Sequence, residues 1–181
     1  GLRPLPLIPY KKMACTVTLS AIDYGCDDLG IGGIVELHVS SRANANTAIT
    51  TKDSATRVIS AVAAAASDVV QLSFNLKDGF SVFSEVKTSN ADGTFSTVPT
   101  ISAEFPKMDA SRISALDQMS NGAPEMVAFV KTAAGTYHVC GLDFGLYTST
   151  VDGNSGTGRS EKNRFQLTMT GEEAGLSYSI T

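Results

Sequence analysis

Charge is what this chain has least of: Asp, Glu, Lys and Arg make up 18% of its 181 residues, the formal net charge is −4 and the pI is about 5.1. It therefore has no sequence-wide basic footprint of the kind that neutralises phosphates, and tight nucleic-acid binding is not expected. A surface this poor in charge is expected to be covered in part by partners. Paired cysteines are lacking as well. Cys15, Cys26 and Cys140 are odd in number and irregularly spaced, with neither a CxxC motif nor a Cys/His pair at zinc spacing. They read as free, reduced thiols and not as a disulfide framework. No apolar run reaches the roughly eighteen residues that a membrane-spanning helix needs, so a soluble protein with no membrane partner is expected.

The motifs of catalysis are also missing. There is no G-x-S-x-G elbow, and the cysteines fall in strands or a turn, with no helix N-terminus to activate them. Residues 153–160 imitate a phosphate-binding loop, but Arg159 stands where the lysine belongs. The segment after it, EKNRFQLTMT, alternates like a strand where a helix would be required. The acidic run Asp23, Cys26, Asp27 and Asp28 matches no calcium-loop spacing and reads as a solvated turn. His38 and His138 lie on strands without a Cys or Ser partner in sequence and read as surface or hydrogen-bonded residues. Asp143, beside Cys140 and Gly141, reads as a turn residue. No catalytic residue, metal ligand or cofactor is assigned, and the chain is not expected to be an enzyme.

What is present is a β-rich pattern. The length suits one domain, burying roughly 70% of its unfolded surface in a single core. With 43% hydrophobic residues, 16 glycines and a mean hydropathy of +0.06, the composition is that of a β-rich globular protein. Residues 1–12, GLRPLPLIPYKK, hold three prolines that exclude a helical signal-peptide core, so residues 1–13 read as an extended arm before a single domain over 14–181. An alternative start at Met13 stays open. Strands are predicted over 15–22 and over 34–40, the latter with Val35, Leu37 and Val39 on one face. Residues 41–54 read as a loop. In 57–66 four alanines favour a helix while Val58, Ile59 and Val62 favour a strand, and the strand is preferred.

Further strands fall at 68–75, 80–88 and 94–105, the last two flanking the turn Asn90-Ala91-Asp92-Gly93 as a long β-hairpin. One helix is predicted from an Asp109 N-cap, with Met108 and Ile113 as a hydrophobic staple, Ile113, Leu116 and Met119 on one face, and Asn121-Gly122 as its left-handed stop. Five strands follow, at 125–131, 136–142, 145–151, 163–170 and 176–181, with a glycine-rich loop before the fourth. The expected fold is mainly β: an antiparallel β-sandwich or barrel with one short α-helix covering an end or a face.

Three stretches carry a family resemblance. These are the PKMD-type entry into the helix after a long strand, the V-A-F-V-K then G-x-Y-H-V-C-G hairpin, and the closing F-x-L-T-M-T-G-E-E segment. Together with the opening TLSAIDYGCDDLGIGGIVELHVS, the chain resembles the tail tube proteins of phages of gut bacteria over about two thirds of its length. The likeness is one of pattern, with no diagnostic motif, and 41–67 has no counterpart. It implies a virion protein made in the host cytoplasm, a homo-oligomer stacking as hexameric rings whose inner sheets join into one barrel. Other tail proteins would be partners, and DNA would pass through without specific binding. It also implies subunit-interface residues in the arm (Leu5, Leu7, Ile8, Tyr10) and in the hairpin (Phe80, Val82, Phe83, Val86, Phe95, Val98, Ile101, Phe105). An inter-ring loop would hold Asp152, Asn154, Arg159 and Lys162. A competing expectation, from the arm alone, is a fimbrial or adhesin-type β-sandwich polymerising by a donated N-terminal strand.

Overall fold

The computed structural model describes residues 33–62, 72–75, 81–106, 109–122, 124–158 and 163–181. The strand expected over 15–22, the turn at 77–79, Met108 and the acidic run at 23–28 lie outside them. Among the described residues eleven strands form one hydrogen-bonded network that folds into two sheets. The larger sheet runs β2 (Ile49–Asp53), β3 (Val58–Val62), β11 (Tyr178–Ile180), β8 (Tyr137–Cys140), β7 (Met126–Thr132), β1 (Ile34–Ser41) and β4 (Leu72–Asn75). The smaller runs β9 (Leu146–Asn154), β10 (Arg164–Gly171), β6 (Phe95–Pro106) and β5 (Val82–Ser89). A single residue pair, Met126 opposite Leu146, joins them at a corner. The mainly-β sandwich is as the sequence predicts, except that β11 and β3 run parallel, an exception to the antiparallel rule.

The inner faces of the two sheets bury a common core. Leu37 and Val39 of β1, Met126, Ala128 and Val130 of β7, Ile101, Ala103 and Phe105 of β6, and Leu167 and Met169 of β10 meet there. The alternate residues of β7, Val127 and Phe129, point the other way and pack with Ala45, Ala48, Ile59, Val139 and Tyr178. Strand β7 is thus buried on both faces, which is why Met126–Val130 reads as an uninterrupted apolar run and not as an alternating one. In β1 a bulge between Ile34 and Glu36 turns Ile34 onto the core face and leaves Val35 half-buried, a departure from strict alternation.

The predicted loop over 41–54 is instead a short helix, α1 (Arg42–Ala48), followed by β2. Ser41 is its N-cap, with its hydroxyl accepting from the Asn44 amide. The helix buries only Ala45 and Ala48, so RANANTA shows no apolar stripe that periodicity could detect. The described residues therefore hold two helices, not one. The second, α2 (Ala110–Ser120), begins as predicted: Asp109 accepts from the Arg112 amide at 2.9 Å, and Gly122 takes φ +76° after the last turn. Leu116 and Met119 enter the core, but Ile113 is 50% exposed. Steps of three residues advance roughly 300°, so such a stripe rotates by about 60° per step and carries Ile113 off the packed face.

The hairpin β5–β6 forms in the predicted place, from Val82 opposite Ser102 to Ser89 opposite Phe95. Its turn is tied by the Asp92 carboxylate accepting from the Thr94 amide at 2.9 Å, with Gly93 at φ +83°. The β8–β9 turn is tighter. Gly141 has φ +92°, and a Cβ there would overlap the carbonyl oxygen of Met126 and crowd Leu146. Gly141→Ala should thus lower stability by at least about 1–3 kcal/mol, from the disfavoured backbone region plus the overlap. Chemical denaturation that leaves the midpoint unchanged would contradict this account of the corner.

Candidate functional site

Strand ends and strand edges are where a β-sandwich offers unused hydrogen-bonding groups, and the four-stranded sheet offers two edges. Among the described residues, β5 pairs only with β6. Beyond Leu146, β10 is likewise the one strand that pairs with β9 among the described residues, although the start of β9 is flanked by the chain itself: Thr148 donates its hydroxyl to the Met119 carbonyl of α2 at 2.9 Å and Tyr147 donates to Glu125 at 3.4 Å. The hydrogen-bond phase fixes which groups are free. Thr97 and Glu173 exchange both backbone bonds, at 3.2 and 2.8 Å, so odd-numbered residues of β6 direct their backbone groups toward β10 and even-numbered ones toward β5. The register Val86 opposite Val98 then turns the N–H and C=O of Phe83, Glu85 and Lys87 outward. The same alternation, carried through Thr170 opposite Tyr147, turns those of Thr148 outward. Ser149 is an extra residue between Thr148 and Thr150, a bulge after which Val151 and Gly153 face out.

Pro99 confirms the phase. It lies in β6 with its nitrogen on the β10 side, beside the end of β10, where Thr170 donates its hydroxyl to the Pro99 carbonyl at 3.2 Å. The missing N–H costs no bond to β5.

The outer face of this sheet is unusual for its uniformity. Val82, Ser84, Val86 and Thr88 of β5 stand beside Ser96, Val98, Thr100 and Ser102 of β6 and Gln166, Thr168 and Thr170 of β10. Formal charge stands at its two ends: Glu104 and Arg164 form an ion pair near Asp152 at one, and Glu172 lies at the other. Val86 is 60% exposed and Val82 52%. At that second end Val98, Phe144, Tyr147, Ser149, Thr170 and Glu172 line a shallow hollow of about 610 Å³.

The start of β9 is held by ion pairs. Arg57 lies against the Tyr178 ring with its guanidinium carbon 3.8 Å from the centroid, and its fork reaches Asp143 at 2.9 Å and Glu173 at 3.7 Å. It also donates to the carbonyls of Leu176 and Gly175 at 2.5 and 3.2 Å. From the other side Arg42 donates to the Asp143 carbonyl and pairs with Glu125 at 2.7 Å. Glu173 accepts from the amides of Asp143 and Phe144, so the turn between β8 and β9 is clamped from three directions. Burial, and then the neighbouring Asp143 charge, raise the Glu173 carboxyl to about 7. Burial also opposes ionisation of Asp143, but the hydrogen bond and charge of Arg57 outweigh it and hold that carboxyl below its ordinary value. The adjoining cleft of about 410 Å³ is lined by Arg57, Asp143 and Tyr178 but not by Glu173, which is buried behind them. The cluster reads as a structural clamp.

The predicted interface residues divide. Val82, Val86 and Val98 are exposed on the outer face. Phe95 is exposed near the hairpin tip, 5.1 Å from the Lys87 ammonium. Ile101 and Phe105 point into the protein's own core, because β6 alternates and its odd residues face the larger sheet. They leave the candidate surface for that reason. Phe83 is half-buried against the same core, with its ring 5.6 Å from His138. Asp152 and Asn154 are not loop residues: β9 extends through Asn154, opposite Arg164. Leu5, Leu7, Ile8, Tyr10, Phe80, Arg159 and Lys162 lie outside the described residues. His38 and His138 are hydrogen-bonded, to Glu36 and Ser177 at 3.2 Å each, and Cys140 is buried with its thiol pushed well up by burial. Sequence reasoning missed Arg57, Glu173 and Tyr178, and read Asp143 only as a turn residue. A glutamate pair directly after a core strand was the one available signal. No family model matches the chain, and neither a curated protein nor a solved structure matches it.

Glu173 sets a pH dependence. Its folded value lies above the unfolded one, so the folded state holds the extra proton and stability falls as pH rises from about 4.5 to about 7. Glu173→Gln should flatten the decline of the unfolding midpoint across that window; an unaltered decline would refute the assignment. Arg57→Ala, which leaves two carboxylates facing each other, should destabilise by about 3–5 kcal/mol in urea titration at pH 7.5. A loss under about 1 kcal/mol would reduce the cluster to the worth of a surface pair.

Proposed function

We propose that this protein is a structural subunit of a tube, assembling as closed rings that stack into a conduit, as the tail tube proteins it resembles in sequence pattern do. The observation that carries the reading is the pair of edges that the four-stranded sheet leaves without a strand partner among the described residues, β5 and β9 beyond Leu146. In the order β9-β10-β6-β5 every neighbour is antiparallel, so β9 and β5 run in opposite directions. An even number of alternating strands lets β5 of one copy sit antiparallel to β9 of the next with all copies in one orientation. That contact joins two different surfaces, and a heterologous contact closes into a ring when its rotation allows. Closure removes the edges that a lone subunit leaves open to indiscriminate pairing.

The outer face of the sheet would then line the bore. Its serines, threonines and valines, with acidic residues and one ion pair at the ends of the face, offer DNA no cationic grip, which suits passage without binding. Six copies per ring, other tail proteins at the ends and a place in the virion follow from the sequence resemblance and belong to the same proposal.

Negative-stain electron microscopy of the concentrated protein should show rings or tubes. Val86→Lys, at an exposed edge-strand position, should abolish them while moving the thermal midpoint by less than about 2 °C, since surface substitutions stay within about 0.5 kcal/mol. A protein that stays monomeric by light scattering at high concentration contradicts the proposal.

A further inference from the structure

We infer that the cleft of about 410 Å³ between the β2–β3 turn, the β10–β11 connection and strand β5 binds a small organic carboxylate, with Lys87 and Arg57 meeting its charged end and Leu176 and Tyr178 its apolar body. The inference goes beyond the tube and does not depend on how copies meet. Charge selects the sign of the ligand. In a protein of formal net charge −4, the cleft is lined by two cations, Lys87 and Arg57, against one anion, Asp143. That anion is already engaged: one oxygen accepts from Arg57 at 2.9 Å and the other from the Tyr178 hydroxyl at 3.3 Å. Glu85 stands two residues before Lys87 on the same face of β5, but it does not line the cleft. Its carboxylate accepts from the Ser177 amide at 2.6 Å and from the Ser177 hydroxyl at 3.0 Å.

Lys87 itself has no ion-pair partner among the described residues; its ammonium stands 5.1 Å from the centroid of the Phe95 ring. A second ammonium without an ion-pair partner, that of Lys52, stands 5.9 Å from the centroid of the Tyr178 ring. An unpaired ammonium at the wall of a partly enclosed cleft attracts an anion more strongly than one in open water, because the protein walls lower the local dielectric.

Arg57 is set in place in advance. It is the one non-glycine residue among those described with a positive φ, +56°, and backbone strain of this kind gathers at ligand clamps. Its Nε donates to the Leu176 carbonyl, Nη1 to Asp143 and Nη2 to the Gly175 carbonyl, while the guanidinium lies on the Tyr178 ring. Gly175 leaves room for it, since a Cβ there would stand 3.4 Å from the guanidinium carbon. A guanidinium carries five N–H donors, so these three bonds leave Nη1 with one unused. A donor held this firmly loses little freedom when a carboxylate arrives.

The rest of the wall is apolar. Leu176 is 47% exposed, and Ala55, Ala174 and the Tyr178 ring stand with it. An inorganic anion would leave that surface in water, whereas the body of an organic acid covers it.

Isothermal titration of the full chain with phenylacetate at pH 7 tests the site. Saturable binding is expected, with a dissociation constant on the order of 1 mM. Phenylacetamide, which has the same body without the charge, should bind at least about tenfold more weakly, since it forfeits the charge-assisted bonds. Lys87→Met, which keeps an apolar stem beside Phe95 and removes the charge, should weaken phenylacetate by a similar factor of about ten. Absence of saturable binding overturns the inference, and so does an unchanged affinity in Lys87→Met. Inorganic phosphate binding as tightly as phenylacetate would show attraction of any anion and likewise overturn it. Failure of the protein to form rings would leave this site standing, and failure to bind phenylacetate would leave the tube standing.

Discussion

An unpaired backbone N–H or C=O at the edge of a sheet stays solvated or finds another strand, and this requirement organises the protein. Strand β7 of the larger sheet is covered on both faces, by the smaller sheet on one side and by α1 with its associated apolar residues on the other. Among the described residues the smaller sheet has one covered face. Its other face carries small hydroxyl side chains and valines, and its two outer strands are open along most of their length among the described residues. A core that stabilises one face while leaving the other face and both edges available is what a sheet shared between copies requires.

The ion-pair cluster contributes to this at one remove. Asp143 sits in the turn that launches β9, and Glu173 follows β10 and bridges back to Thr97 of β6. The clamp formed with Arg57 and Tyr178 therefore ties the larger sheet to the start of one open edge and to the strand beside the other. Its desolvated carboxylates are costly to keep charged, and their geometry is over-determined by two arginines and several backbone bonds. Rigidity at this corner sets the direction in which β9 leaves the body of the protein.

Most of the architecture was legible in the sequence because hydrophobic alternation is a direct record of which face is buried. The hairpin β5–β6, the Asp109 cap and the five C-terminal strands were readable from alternation, turn chemistry and capping. Helix α1 was not, since it packs with two alanine side chains and presents no stripe. The burial of Ile101 and Phe105 was misassigned as interface because a strand's two faces look alike until its partners are known. The parallel pairing of β11 with β3 depends on contacts more than a hundred residues apart in the chain, which no local pattern records. The clamp was invisible for a related reason: Arg57, Asp143 and Glu173 are ordinary polar residues in sequence, and only the fold makes them neighbours.

The central claim is that the outward backbone groups of β5 and β9 are bonded to each other between copies. Hydrogen–deuterium exchange by mass spectrometry, comparing concentrated and diluted protein, addresses it directly. Peptides covering 82–89 and 146–154 should gain protection together when the protein is concentrated into assemblies, with the larger sheet unchanged. Exchange in both peptides that is as rapid in the assembled particle as in the monomer would show that copies meet elsewhere.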